Sequence, residues 1–308
     1  MRWILGAIAL ASLALVIWLF GLGGMADVSR WATAGQREAQ TALAAALRSL
    51  RAGEAGAWFA LMSVCAAYGF FHAAGPGHGK LVIGGYGAAS QVPLARLIGL
   101  AVASSLAQAM TAIVLVALGA LVFGWGRAAM TQAAETVLAP ASYAAISLLG
   151  VWLVWRGFRH LRNLSPTSEH AHDQSHAHDH SHDHGEVCSS CGHAHGPSLE
   201  QAQSVQSLYD ALGVVAAVAI RPCTGAVFLL ILCFGFGIPW AGVAGALVMG
   251  LGTASLTALV ALAAVSLRES ALAPLQGRTV AVAMACAELF VGACVAMIAA
   301  GIVWRMVG

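Results

Sequence analysis

The sequence predicts an all-α, polytopic membrane protein of about seven transmembrane helices: an N-terminal helix followed by two three-helix inverted repeats with broken helices. Three observations predict it. Hydrophobic residues make up 59% of the 308-residue chain and charged residues 9%, with a mean hydropathy of +0.80. A soluble chain carries about 25% charged residues, so a soluble globular fold is excluded. Long stretches, 97–125 and 240–267 among them, contain no Asp, Glu, Lys or Arg, as membrane spans require. Finally, two of the apolar segments are interrupted by Pro and Gly at corresponding positions in the two halves, the pattern of an inverted repeat with a site near the bilayer midplane.

A hydrocarbon core of about 30 Å needs about 20 apolar residues per helix. That length places spans near residues 3–22, 57–75, 95–124, 141–158, 210–236, 239–266 and 279–304. Residues 1–24 form the N-terminal span or signal anchor. The apolar run after Arg2 is longer than the core of a cleaved signal peptide, which favours a retained helix. In the extracytoplasmic segment 25–56, Trp31, Leu43, Leu47 and Leu50 alternate with Arg37, Glu38, Arg48 and Arg51 at helical spacing, which predicts an amphipathic helix along the membrane interface. The repeats are 57–158 and 209–308, joined by a loop at 159–208.

Basic residues flanking spans concentrate on the cytoplasmic side. With the N-terminus inside, Arg2, Lys80, Arg96, Arg156, Arg159, Arg162, Arg268 and Arg278 are cytoplasmic, and Arg127 and Arg305 are outside. The arginines of segment 25–56 run against the rule, although a translocated amphipathic helix carries charge without setting topology. This orientation puts the long loop in the cytoplasm. One Lys in the whole chain leaves no basic surface to follow a phosphate backbone, so nucleic acid is not an expected partner. The expected partners are the lipid bilayer and divalent transition-metal ions.

The metal expectation comes first from the loop. Nine of the twelve histidines lie between residues 170 and 195, in HAHDQSHAHDHSHDHGEVCSSCGHAH. Such a segment has no apolar residues to offset chain entropy and is expected to be disordered until an ion binds. His170, His172, His176, His178, His180, His182 and His184 alternate with Asp and Ser as nitrogen and oxygen donors suited to nickel, cobalt, zinc or copper. Cys188, Cys191, His193 and His195 form a tighter cluster whose thiolates favour zinc or cuprous copper. The other five cysteines lie in apolar segments, so no disulfide framework is expected. The competing reading of the loop is a solubilising linker that binds metal without a role in turnover.

The second span carries HAAGPGHGK, residues 72–80. Pro76 removes a backbone donor, and Gly75 and Gly77 beside it weaken the helix further. Unwound backbone at membrane depth survives only where it is buried or lines a wet cavity, so the break implies carbonyls facing a pathway. His72 and His78 flank it and are candidate ligands if the reversal brings both imidazoles to one ion. The fifth span is interrupted by Arg221, Pro222, Cys223, Thr224 and Gly225. There Cys223 is either a soft ligand or a small buried hydrophobe.

Gln108 in the third span and Thr253 in the sixth are candidates for lining the pathway. Lys80, at the end of the second-span motif, is grouped with them. Arg221 and Glu288 are the two charges read as lying well inside spans, where a functional role or a partner is the default. Either they pair with each other, or Glu288 is a proton-coupling carboxylate.

HAAGPGHGK, RPCTG in the fifth span, MGLGTA in the sixth and the His/Asp-rich loop together resemble the nickel/cobalt efflux transporters of the NicO type, over most of residues 57–304. The resemblance implies a bacterial inner-membrane protein that exports nickel or cobalt, with His72 and His78 as ligands. Uptake relatives have an Asp beside the second His of their signature, where this chain has Gly77; that departure supports efflux. No enzyme activity and no prosthetic group are expected, and the absence of a G-x-x-x-x-G-K-[ST] loop points to a proton gradient rather than ATP. Alternatives are zinc or cadmium export, nickel or cobalt uptake, a membrane metal sensor or buffer, and a thiol oxidoreductase using Cys223.

Overall fold

The computed structural model describes residues 17–18, 21–75, 92–164, 211–273 and 278–307. In chain order the elements are α1 (Gly24–Arg51), α2 (Ala57–Ala74), α3 (Leu94–Leu121), α4 (Arg127–Ala133), a π-helical turn (Ala134–Leu138), α5 (Ala139–Asn163), α6 (Ala211–Ala219), α7 (Thr224–Gly235), α8 (Pro239–Leu272) and α9 (Arg278–Val307). Among the described residues there is no strand. Helices long and apolar enough to cross a bilayer are α2, α3, the run Arg127–Asn163, α8 and α9, and the bent pair α6 and α7 makes a sixth span if counted as one. The all-α membrane architecture follows. Most of the expected first span lies outside the described residues.

The fourth span starts earlier than expected because α4 and the π turn extend it to Arg127. The wide turn falls where Pro140 enters the chain: with no N–H to give the Thr136 carbonyl, the ladder reorganises locally.

α1 differs from the expectation of a helix lying along the interface. Ala32, Ala39, Leu43, Ala46 and Leu47 recur at helical spacing and are buried, and they are covered by protein. Gly53 and Gly56, at φ 71° and 79°, reverse the chain into α2. α1 therefore folds back antiparallel on α2, with Leu43 and Leu47 in one core with Leu61. At the other end Trp31 packs edge-on against Phe71, with ring centroids 5.1 Å apart. Asp27 in the first turn and Arg48 and Arg51 in the last oppose the helix dipole, and the outward face keeps Arg30, Arg37 and Glu38 exposed.

α2 runs parallel to α8. Trp58 stacks on Trp240 at one end, with centroids 4.9 Å apart. Farther along, the two backbones nearly touch: a Cβ on Gly69 would stand 2.0 Å from the Met249 carbonyl oxygen, and one on Gly252 would stand 2.3 Å from that of Ala66. Packing of this kind, with small residues letting backbones approach, is how helices associate without a hydrophobic driving force between them. Thr253 donates from Oγ1 to the Gly69 carbonyl at 3.1 Å across the same crossing. The crossing lies near the middle of α8, and α2 is about 27 Å long at the usual helical rise. It therefore ends partway along its neighbour, at the depth where a site can open.

α5 and α9 form the other close pair, antiparallel, with Gly150 and Gly292 facing one another. A Cβ on either would stand 2.6–2.8 Å from the partner's backbone. The described helices thus pair across the two sequence halves, α2 with α8 and α5 with α9. Two hydrophobic cores result. One joins α1, α2, α7 and parts of α3 and α8 around Leu61, Tyr68 and Leu230. The other joins α5, α6, α9 and the remaining parts of α3 and α8 around Leu97, Tyr143 and Val214. The break between α6 and α7 lies where one core gives way to the other.

Candidate metal site at two interrupted helices

The first interruption begins where the sequence places it. α2 ends at Ala74, and Gly75 turns to φ −60°, ψ 164°, an extended conformation that the following proline favours. The Gly75 N–H still reaches the Phe71 carbonyl at 3.1 Å, so the last turn holding His72 is closed. His72 is half-buried, and its imidazole lies parallel to the Tyr68 ring, at 9° with centroids 5.9 Å apart. Pro76, Gly77, His78 and Lys80 lie outside the described residues, as do His170, His172, His176, His178, His180, His182, His184, Cys188, Cys191, His193 and His195.

At the second interruption α6 and α7 meet at 55°. Pro222 cannot give the N–H that the Val218 carbonyl would accept in a continuous helix. Gln108 on α3 supplies the missing donor, its Nε2 giving a hydrogen bond to Val218 at 3.1 Å. The neighbouring carbonyls are held the same way. Ser142 on α5 donates to Ala217 at 2.7 Å, and Thr111 on α3 donates to Ala219 at 2.7 Å. At the fifth-span break the freed carbonyls thus face side-chain donors, and Gln108, expected to line the pathway, gives its Nε2 hydrogen bond to one of them. The reason is general, since an unpaired carbonyl in a low-dielectric interior is costly and neighbouring side chains close it wherever they can. Replacing Gln108 with leucine is expected to lower stability by about 1–3 kcal/mol, the cost of leaving a buried acceptor unmade. Thermal unfolding of the purified protein in detergent measures this, and an unchanged midpoint would count against the assignment.

Cys223 begins α7, and its carbonyl accepts from the Val227 N–H at 3.0 Å. Two residues on, Gly225 lies against Tyr68 so closely that a Cβ there would stand 2.1 Å from the ring. Tyr68 is therefore where the end of α2 meets the start of α7. His72 stacks on its ring, the Cys223–Gly225 turn packs against it, and its hydroxyl bonds with Thr224 and accepts from Gln36 of α1 at 3.2 Å. Sequence reasoning missed Tyr68 and Gln36. The one signal was the spacing of Tyr68 and His72, one helical turn apart on the same face.

Arg221 and Glu288 do not pair. Arg221 donates to the Tyr143 hydroxyl and lies over that ring, 5.0 Å from its centroid. Glu288, buried on α9, accepts from Arg156 of α5 at 2.6 Å, and His160 Nδ1 lies 3.2 Å from its other oxygen. Arg156 is also seated over Trp152, 4.8 Å from the centroid. α5 continues to Asn163, and Arg156, counted in the sequence among the flanking basic residues, stands beside Glu288 on the antiparallel helix.

Among the described residues no group of three or more His, Cys, Asp or Glu side chains gathers tightly enough to hold an ion alone. His72, beside Tyr68, and Cys223, just before α7, are the donors that the described residues offer next to the two breaks. Nitrogen and sulfur donors of this kind suit a borderline transition-metal ion.

Residues 56–307 match the family described as NicO, high-affinity nickel-transport protein. The chain belongs to the NicO family. Among curated proteins, this NicO chain is 29% identical over 192 residues to a Haemophilus influenzae protein named "Putative nickel/cobalt efflux system". The aligned part is 60% of this chain and 59% of that relative, so the chain spans about three fifths of the relative's length. No solved structure gives a significant match. Both interruptions and both close helix crossings fall inside the family match, whereas α1 lies outside it.

Proposed function

We propose that this NicO chain is a secondary transporter of the inner membrane that carries Ni2+ or Co2+ out of the cytoplasm by alternating access, driven by inward proton movement. The observation that carries this reading is the packing around Tyr68, which has His72, from the last turn of α2 before its break, beside its ring and the turn after Pro222 against it. The name of the Haemophilus relative supports the direction and the cargo. The distribution of basic residues supports a cytoplasmic position for loop 159–208, whose histidines collect ions and whose Cys188–His195 cluster suits zinc as a bound ion. From there an ion reaches His72, joined by His78 and Cys223. Neutral imidazole binds metal and imidazolium does not, so a proton arriving at the histidines from outside releases the ion.

Because α2 pairs with α8 and α5 with α9 across the sequence halves, rocking one half against the other would separate glycine crossings in backbone contact. A motion about residues 220–223, where the chain passes from one core to the other, leaves those crossings intact. The access change is assigned to that joint.

The test is intracellular nickel and cobalt in metal-challenged cells carrying the wild type, His72→Ala or empty vector. The expected result is lower metal with the wild type than with vector, and the vector level with His72→Ala. Metal above the vector level with the wild type would mean uptake; no difference among the three would sink the transport reading.

A further inference from the structure

Resting on that reading of His72, we infer that α1, which lies outside the family match, supports the metal site: Gln36 and Thr224 hold the hydroxyl of Tyr68, and Tyr68 holds the imidazole of His72 in the plane in which it receives an ion. Four observations carry this. Tyr68 is 2% exposed, so its hydroxyl needs partners inside the protein, and it takes them from two different helices, Gln36 of α1 at 3.2 Å and Thr224 of α7. Its ring and the His72 imidazole lie parallel, at 9° with centroids 5.9 Å apart and one helical turn between them. The ring also lies against Gly225, where a side chain would not fit, which sets its close approach to the start of α7. Finally, α1 is seated on the same end of α2: a Cβ on Gly35 would stand 2.5 Å from the Phe71 ring, and Trp31 packs against Phe70 and Phe71.

The chemistry is that of a positioning residue. A metal-binding imidazole needs its ring plane fixed before an ion arrives, and neighbours that orient ligating histidines typically change metal affinity by about 10–100-fold when removed. Tyr68 orients by a ring face and by a hydroxyl anchored at two points.

The experiment uses the full chain purified in detergent, with the nine histidines of residues 170–195 and Cys188 and Cys191 changed to alanine so that only the membrane site reports. Cobalt is titrated and its ligand-field absorption recorded. Tyr68→Phe keeps the ring and removes the hydroxyl; it is expected to weaken cobalt binding by about tenfold and to alter the absorption band, with thermal unfolding of the metal-free protein little changed. Gln36→Leu is expected to act in the same direction, and the double variant to bind no more weakly than Tyr68→Phe alone, because both changes cut one chain of contacts. Should Tyr68→Phe fold poorly, Gln36→Leu carries the test.

His72→Ala is the control that separates two failures. If it leaves the cobalt band unchanged, the site itself is wrong and the inference falls with it. If it abolishes the band while Tyr68→Phe and Gln36→Leu bind as the parent does, the site stands and the role of Tyr68 is overturned. Effects of Tyr68→Phe and Gln36→Leu that simply add would overturn it as well.

Discussion

Replacing Glu288 with leucine is expected to destabilise the protein by about 3–5 kcal/mol, because it leaves the Arg156 guanidinium buried without its carboxylate. The pair joins α5 to α9 at 2.6 Å, beside Gly157, where a Cβ would stand 3.0 Å from that of Glu288. Removing both charges, as in Glu288→Leu with Arg156→Leu, is expected to recover most of the loss, since a buried pair replaced by apolar residues is often neutral. Unfolding in detergent of the two single variants and the double one makes the measurement. A double variant as unstable as Glu288→Leu would mean that the helices are held by something other than this pair. Arg156→Leu alone should also be destabilising, leaving the carboxylate with His160 beside its other oxygen.

The second large effect is expected at the crossing of α2 and α8. Alanine at Gly69 or Gly252 places a carbon 2.0–2.3 Å from a backbone carbonyl oxygen, and backbone cannot rotate away as a side chain can. The helices must move apart, at a cost of about 1–3 kcal/mol or more for overpacking. Gly301 in α9 and Gly99 in α3 are the controls. Nothing lies within 4 Å of a Cβ at either, and alanine there gains about 1 kcal/mol of helix propensity. Opposite signs for the two classes are the expected result; Gly69→Ala tolerated like Gly99→Ala would show that the crossing is looser than described. Because His72 lies one turn beyond Gly69, the same displacement is expected to raise the half-saturation for metal in flux measurements before folding is lost.

The spans could be read in the sequence because bilayer thickness imposes length and apolarity on each segment separately. The interruption at Pro222 was equally legible, since proline removes its donor whatever surrounds it. What answered that loss was not legible. Nothing in the spacing of Gln108, Thr111 and Ser142 says that three side chains from two other helices converge on Ala217, Val218 and Ala219. The partner of Glu288 was not legible either: Arg156 was counted among the flanking charges, and nothing in the sequence of the fourth and seventh spans says that it meets Glu288 on the antiparallel helix. α1 was recognised as amphipathic, but the periodicity that gives it an apolar face is the same whether that face meets lipid or protein. Tyr68 looked like an ordinary apolar-segment aromatic, and only the convergence of α1, α2 and α7 on its ring distinguishes it.

The divided fifth span also bears on how the chain is assembled during synthesis. α7 has 12 helical residues, well short of the roughly 20 that let a helix enter a bilayer unaided. The groups that close the carbonyls at the end of α6, on Gln108, Thr111 and Ser142, all belong to helices translated before it. So does Tyr68, against which α7 begins. The first three-helix half thus acts as a template. It must be in the membrane before the second can settle, and damage to Gln108 or Ser142 would surface as failed insertion of a segment encoded far downstream.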